Sequence, residues 1–372
     1  MIKFSVDHKS FLTGLNTVAA ALPPKTSLPS LSNILIETLD NKLKIAATDL
    51  DTTVITFIPA TITTSGAITL PGKKLLEIVR ELNGNEVDIS TIGSRISISC
   101  NKSNFSLPTS SRDSYPSLPS TEINTDSITF PIGILKEGIK RTVYAIAGSS
   151  ELRAALTGCL WKQTDLGLVM VSTDGHRLAK VILPSLKTEK EFSAIVAAKA
   201  LNLLLKINSE DSVIMSSQGT QISFNIGETS IFSRIIEGVF PPYDKVIPAN
   251  NGILLELNKK DLYDALRRMR IIANPATQQV IFTIEHNRLI LQAENTDAGE
   301  AREDIEAIFN SDPIQIAFSG NLITEILKTM NSEDIIMKLH DSEVAVIFVE
   351  KEKNVEIEYL TLVMPVKLPD NR

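Results

Sequence analysis

Three side chains within four residues mark the place where this sequence could do chemistry: Asp174, His176 and Arg177 in VSTDGHRLAKV, Val171 to Val181. A carboxylate, an imidazole and a guanidinium together could orient a base and hold an anion, as a hydrolase-like enzyme requires. The spacing argues against it, because Asp174 and His176 are only two apart and no Ser or Cys nucleophile with an oxyanion hole is signalled nearby. The better-supported reading makes Asp174-Gly175 a chain reversal with the imidazole packed on a neighbour. The four histidines, His8, His176, His286 and His340, show no H-x-x-x-H pairing and the cysteines no C-x-x-C, so no metal is expected. Neither a G-x-x-x-x-G-K-[ST] loop nor a G-x-G-x-x-G fingerprint occurs, so no cofactor is expected. Cys100 and Cys159 fall in alternating stretches, RISISC and TGCLW, and read as small core residues.

The elements around this segment recur. LSNILIETLDNKLKIAATDLD, from Leu31, aligns without a gap on LTGCLWKQTDLGLVMVSTDGH, from Leu156, and a weaker copy, VIFTIEHNRLILQAEN, starts at Val280. A unit of about 125 residues is too long for a solenoid repeat and long enough for its own core. The 372 residues, 43% of them apolar, therefore read as three tandem domains, 1–125, 126–249 and 250–372. Pro/Ser-rich SYPSLPSTEINTD, Ser114 to Asp126, and VIPANNG, Val246 to Gly252, mark the seams.

Each copy opens with a strand-like stretch and an amphipathic helix. The first carries Phe11, Leu12, Leu15, Val18 and Ala19 on one face, with Asp7 as its N-cap. The second carries Leu135, Ile139, Val143 and Ile146, and the third Leu262, Leu266 and Met269. Another helix follows in each copy, through Leu75, Leu76, Val79 and Leu82, through Leu201, Leu204 and Leu205, and through Leu322, Ile323, Ile326 and Met330. Period-two runs such as KLKIAATD and TQISFNI, with turn signals at Asn83-Gly84 and Thr164-Asp165, suit antiparallel sheets covered on one face. The fold class is α+β, with two helices and antiparallel sheets per domain.

A formal net charge of −7 speaks against a nucleic-acid partner, but the distribution does not. The six helical segments, 7–21, 72–82, 132–147, 198–206, 258–271 and 320–331, together carry +8, leaving −15 for the remainder. Charges on one amphipathic helix usually serve solubility; four basic helices against an acidic background equally suit a binding face. No aromatics interleave with these lysines and arginines, so contact would be with phosphates and without sequence preference. No apolar run reaches the roughly 18 residues of a membrane span, and MIKFSVDHKS does not read as a leader, so the expected compartment is the cytoplasm.

With the triplication, the TDGHRLA segment, FPPYDKVIP at Phe240 to Pro248 and LVMPVKL at Leu362 to Leu368 in view, the whole chain resembles the bacterial sliding clamps, the β subunits of DNA polymerase III. The resemblance implies a DNA clamp fold closing head to tail into a dimeric ring, helices inside, around duplex DNA. It implies a non-catalytic processivity factor, associated with the nucleoid during replication. Implied partners are the polymerase III catalytic subunit, the clamp loader complex, and other polymerases and repair or replication proteins that carry a clamp-binding peptide. Residue by residue, it places the peptide pocket at Leu156, Thr173, Gly175, His176, Arg177, Leu178, Pro241, Val246, Leu362, Val363, Met364 and Pro365. It places Lys25, Arg153, Lys73, Lys199 and Lys206 towards DNA, and Phe105 against Ile271 and Ile272 of a second copy at the dimer interface. Two departures stand out: Asp244-Lys245 where the family commonly has a basic pair, and a tail, Pro369 to Arg372, past the usual end. Competing with this are the enzyme centred on Asp174, His176 and Arg177, and a nonspecific DNA-binding protein that forms no ring.

Overall fold

The computed structural model describes residues 2–123, 126–208, 212–352, 354 and 356–368; the tail Pro369 to Arg372 lies outside the described residues. Six α-helices are present among them: α1 His8–Ala19, α2 Gly72–Glu81, α3 Ile132–Lys140, α4 Ala198–Lys206, α5 Lys259–Ile272 and α6 Gly320–Leu327. Asp7 caps α1 as its sequence suggests, its carboxylate accepting from the Ser10 amide at 2.8 Å. Asn258 does the same for α5, accepting from the amides of Lys260 and Asp261. Helix α1 buries Phe11, Gly14, Leu15 and Val18, and α5 buries Leu262, Ala265, Leu266 and Met269, each large apolar side chain stabilising the fold by about 1.5–3 kcal/mol. At Gly14 the helix sits so close to its sheet that a Cβ would lie 3.2 Å from Ile58 and 3.3 Å from Ile45.

Chain contacts divide the molecule into two compact units, one of residues 1–133 with 199–235, the other of 134–198 with 236–372. The first holds a five-stranded antiparallel sheet, in the order Thr61–Thr64, Lys3–Asp7, Glu86–Ile92, Arg95–Cys100, Ser103–Pro108. It also holds an eight-stranded one: Ile128–Pro131, Ser212–Gln218, Gln221–Ile226, Thr229–Arg234, Thr52–Pro59, Lys42–Thr48, Asn33–Leu39, Ala67–Pro71. The second unit holds a nine-stranded sheet, Ser193–Ala197, Gly158–Thr164, Gly167–Thr173, Arg177–Leu183, Glu358–Val363, Val346–Glu350, Asp334–Leu339, Ile253–Asn258, Ile308–Phe309. Its four-stranded sheet runs Gly299–Glu306, Arg288–Asn295, Gln279–Glu285, Ile314–Ser319.

The two larger sheets show why the compact units do not follow the sequence repeats. The middle repeat is split: Thr229–Arg234 pairs with Thr52–Pro59 of the first repeat, and Arg177–Leu183 pairs with Glu358–Val363 of the third. Each junction thus carries a continuous ladder of backbone hydrogen bonds from one repeat into the next. Both cysteines are free and buried, and burial pushes the Cys159 thiol up to about 11, which suits a core residue.

Two helices stop short of their apolar periodicity. Val143 and Ile146 continue the apolar spacing of α3, yet the helix stops at Lys140 and a 3-10 turn, Val143–Ala145, follows. The Thr142 hydroxyl bonds back to the carbonyls of Gly138 and Ile139, at 2.9 and 3.2 Å, and the Arg141 side chain is drawn to Glu350 at 3.0 Å. Helix α6 likewise ends at Leu327, although Met330 beyond it is buried.

Candidate functional site: an apolar cluster beside a Thr-Asp-Gly-His turn

The strands Gly167–Thr173 and Arg177–Leu183 are joined by a turn whose every residue has a task. The Asp174 carboxylate accepts from the amides of His176 and Arg177, at 2.9 and 3.0 Å, and from Arg177 Nε at 3.0 Å. The Thr173 hydroxyl donates to the Arg177 carbonyl at 2.6 Å and accepts from the Gly175 amide at 3.1 Å. Gly175 has φ +88°, where a side chain is strained, and a Cβ there would also stand 3.4 Å from the Arg153 guanidinium. The carboxylate is therefore committed to the turn. Arg177 is buried and also pairs with Glu325, which leaves His176 as the exposed member of the three. Asp174 touches His176 through its backbone amide, so the carboxylate does not orient the imidazole, and the enzyme reading is not supported.

The C-terminal strand completes the wall. Arg177 stands opposite Val363 and Leu178 opposite Leu362, and the Met364 amide donates to the His176 carbonyl at 2.8 Å. Beyond Met364 the chain is fastened by the Val366 amide to Ala317 O, and by Gln279 Nε2 to Lys367 O, both at 2.8 Å. On one face of this strand pair Val169, Val171, Leu178, Ile182, Ala345, Ile347 and Leu362 form an apolar cluster. The FPPYDKVIP segment lies on that cluster through Phe240, Tyr243 and Ile247.

Strand pairing and the turn thus bring together Thr173, Gly175, His176, Leu178, Leu362 and Met364, with Pro365 next along the chain, whereas Arg177 and Val363, opposite one another, turn to the other face of the sheet, Val363 into the core of the third repeat. Pro241 and Val246 lie on the covering segment, Pro241 half-buried and Val246 54% exposed. Leu156 is buried in the 3-10 turn Ala154–Thr157. Met364 is 40% exposed, so the wall ends in an adaptable apolar side chain open to solvent. Asp244 pairs with Lys180 at 2.9 Å, and that ammonium lies 5.1 Å from the Tyr243 ring centroid, so the departure from a basic pair is locally neutralised. Sequence reasoning missed Tyr144, Tyr243, Lys180 and Glu325 at this site. Tyr243 and Lys180 had a signal, their places inside FPPYDKVIP and VSTDGHRLAKV.

The basic candidates differ in freedom. Lys25, Lys73 and Lys206 are exposed, whereas Lys199 is held by Asp49 at 2.6 Å and by the Ala21 carbonyl at 2.7 Å. Arg153 is exposed, pairs with Glu151 at 2.8 Å and lies beside Gly175 in the Thr173–Arg177 turn. Phe105, 40% exposed, lies on Ser103–Pro108 at a sheet edge; Ile271, 77% exposed, ends α5 beside half-buried Ile272. Among the described residues no group of three His, Cys, Asp or Glu could hold a metal, and no helix is long and apolar enough to cross a membrane.

Family models of the DNA polymerase III beta subunit match in order along the chain: the N-terminal domain over residues 2–119, the central domain over 129–242 and the C-terminal domain over 244–366. The beta sliding clamp of Synechococcus elongatus is 30% identical over 372 residues, covering 96% of each chain, and that of Staphylococcus epidermidis is 29% identical over 348 residues, covering 90% of this chain and 92% of the other. The crystal structure of a Bartonella birtlesii sliding clamp bound to griselimycin superposes with TM-score 0.90 at 29% identity, over 99% of this chain and 100% of that one. The chain belongs to the DNA polymerase III beta subunit family, the beta sliding clamps.

Proposed function

We propose that two copies of this chain close head to tail into a ring around duplex DNA and serve as a non-catalytic processivity factor in the cytoplasm, at the nucleoid during replication. Three clamp domains, 1–125, 126–249 and 250–372, make up each copy in this reading. The observation that carries it is a rule of strand pairing obeyed twice within the chain. The strand that follows the Thr-Asp turn in repeat one, Thr52–Pro59, pairs with the last strand of repeat two, and the one that follows it in repeat two, Arg177–Leu183, pairs with the last strand of repeat three. In repeat three the corresponding strand, Gly299–Glu306, stands at a sheet edge, and so does the last strand of repeat one, Ser103–Pro108. Exposed edges invite pairing, and a second copy can satisfy both at once through two equal contacts related by a half turn. Phe105 and the Ile271–Ile272 end of α5 belong to that contact.

A ring holds DNA by topology, so its contacts can be weak and interchangeable, and sliding requires that they be. Lys25, Lys73, Lys206 and Arg153 are exposed side chains of this kind, and Lys199 adds charge already balanced by Asp49. They attract phosphates without reading bases, while the acidic remainder repels other nucleic acid. The pocket of His176–Leu178, Leu362–Pro365, Leu156, Pro241 and Val246 receives short apolar peptides of the polymerase III catalytic subunit, the clamp loader and other polymerases and repair proteins, and in this reading also takes griselimycin, the ligand of the Bartonella birtlesii clamp. Sedimentation tests the ring: the wild-type chain should run at twice its 40.7 kDa, and the double variant Ile271→Asp, Ile272→Asp as a folded monomer. A variant that keeps the dimer mass would place the interface elsewhere.

A further inference from the structure

Beneath the apolar face of the strand pair, on the other side of the sheet, runs a chain of buried polar groups that begins at Arg177. Arg177 pairs with Asp174 and Glu325, and its guanidinium lies 5.1 Å over the Tyr144 ring. The Tyr144 hydroxyl is 2.6 Å from Thr361 Oγ1 and 3.0 Å from the Tyr359 hydroxyl, which is 2.8 Å from Thr329 Oγ1. The Tyr359 ring in turn lies 4.9 Å from the guanidinium of Arg141, which is fully buried and donates to Glu350 at 3.0 Å. Arg141, Tyr144 and Arg177 come from the second repeat and Glu325, Thr329, Glu350, Tyr359 and Thr361 from the third, so every link but Arg177–Asp174, Arg177–Tyr144 and Tyr359–Thr329 bridges the two repeats. Burial pushes both phenols above their ordinary range, which keeps the hydroxyls protonated and able to donate.

We infer that Tyr144 and Tyr359 are positioning residues for the peptide pocket, holding Arg177 at one depth and, through it, the wall made by His176, Leu178 and Met364. The inference rests on the pocket reading above. A buried guanidinium between two carboxylates has several near-equivalent arrangements, and a ring face tied down by its own hydroxyl selects one of them. His176 and Leu178 flank Arg177 in the chain, and Met364 is bonded to the His176 carbonyl, so movement of Arg177 displaces all three. Apparent affinity then falls in proportion to the fraction of molecules with the wall in place.

Isothermal titration of griselimycin into the full chain tests this, comparing wild type with Tyr144→Phe/Tyr359→Phe, which removes two hydroxyls and keeps both rings, and with Tyr144→Leu. Leu266→Val, in the buried face of α5, supplies a core change that lowers thermal stability and removes no polar group. The expected result is a dissociation constant raised about fivefold by the double Phe variant and about tenfold or more by Tyr144→Leu, with Leu266→Val within about twofold of wild type. Should Tyr144→Leu fail to fold, the double Phe variant decides alone. Tyrosine variants that shift affinity no more than Leu266→Val would overturn the positioning role while leaving the pocket intact. A wild-type chain that does not bind griselimycin would overturn the pocket reading and this inference with it.

Discussion

The turns Thr48–Thr52 and Thr173–Arg177 are the same piece of backbone used for different ends. In the first, Thr48 donates to the Thr52 carbonyl at 3.2 Å and accepts from the Leu50 amide at 3.1 Å, while Asp49 accepts from the amides of Asp51 and Thr52 at 3.2 and 2.7 Å. Thr173 and Asp174 reproduce these bonds one for one, and φ is +82° at Leu50 against +88° at Gly175. Both aspartates also take a cation, but from different places: Lys199 on α4 reaches Asp49, and Arg177 in the turn itself reaches Asp174. Covering segments match too, Tyr115 and Leu118 lying over the first junction and Phe240, Tyr243 and Ile247 over the second. The difference lies in what the turn leaves open. Leu50 and Asp51 project as ordinary surface, whereas Gly175 carries no side chain and His176 stands beside an apolar wall ending in exposed Met364. The turn itself is a requirement of the fold, and under the proposed function the choice of Gly-His within it serves binding.

That contrast can be broken deliberately. Asp174→Ala strips a buried arginine of one partner and should cost about 3–5 kcal/mol, while Asp49→Ala removes the turn's acceptor and a half-exposed pair and should cost about 1–2 kcal/mol. Denaturant midpoints of the two variants, compared with wild type, check the order; equal losses would mean that Arg177 is not committed inside. Gly175→Leu imports the residue of the first turn into the second. The backbone can adopt it, as Leu50 does, at a strain of about 1–2 kcal/mol, but griselimycin binding should fall at least about tenfold. A calorimetric titration with undiminished affinity would remove the pocket from beside the turn. His176→Ala should leave stability within about 0.5 kcal/mol, since the side chain is exposed, and still weaken griselimycin binding. The reverse exchange, Leu50→Gly, relieves φ +82° at an exposed site and should raise stability by up to about 1 kcal/mol with no effect on binding.

How much of this could be read in the sequence follows from the range of the interactions. The Thr-Asp turn was visible because its bonds are local and its two copies align without a gap. The capped start of α1, the alternating strands and the three repeats are legible for the same reason. The end of α3 was not, because Val143 and Ile146 keep a helical apolar spacing while Thr142 and Arg141 break the helix through contacts that periodicity cannot show. Tyr144, Tyr359 and Glu325 escaped because their partners lie far along the chain, as do Tyr144 and Thr361 at a separation of 217 residues. Sharing of sheets between repeats escaped as well, since any edge strand of suitable pattern could have been the neighbour. The pocket residues came from resemblance to the family, and residue pattern alone would have stopped at a tight turn.

Encirclement of DNA is tested most directly by retention on nicked circular duplex, after loading with the clamp loader and ATP, through a high-salt wash and then cutting of the circle. Topological binding predicts that the protein survives the salt and leaves when the circle becomes linear. Release by salt alone, with no effect of cutting, would reduce the basic helices to an electrostatic patch and contradict the ring.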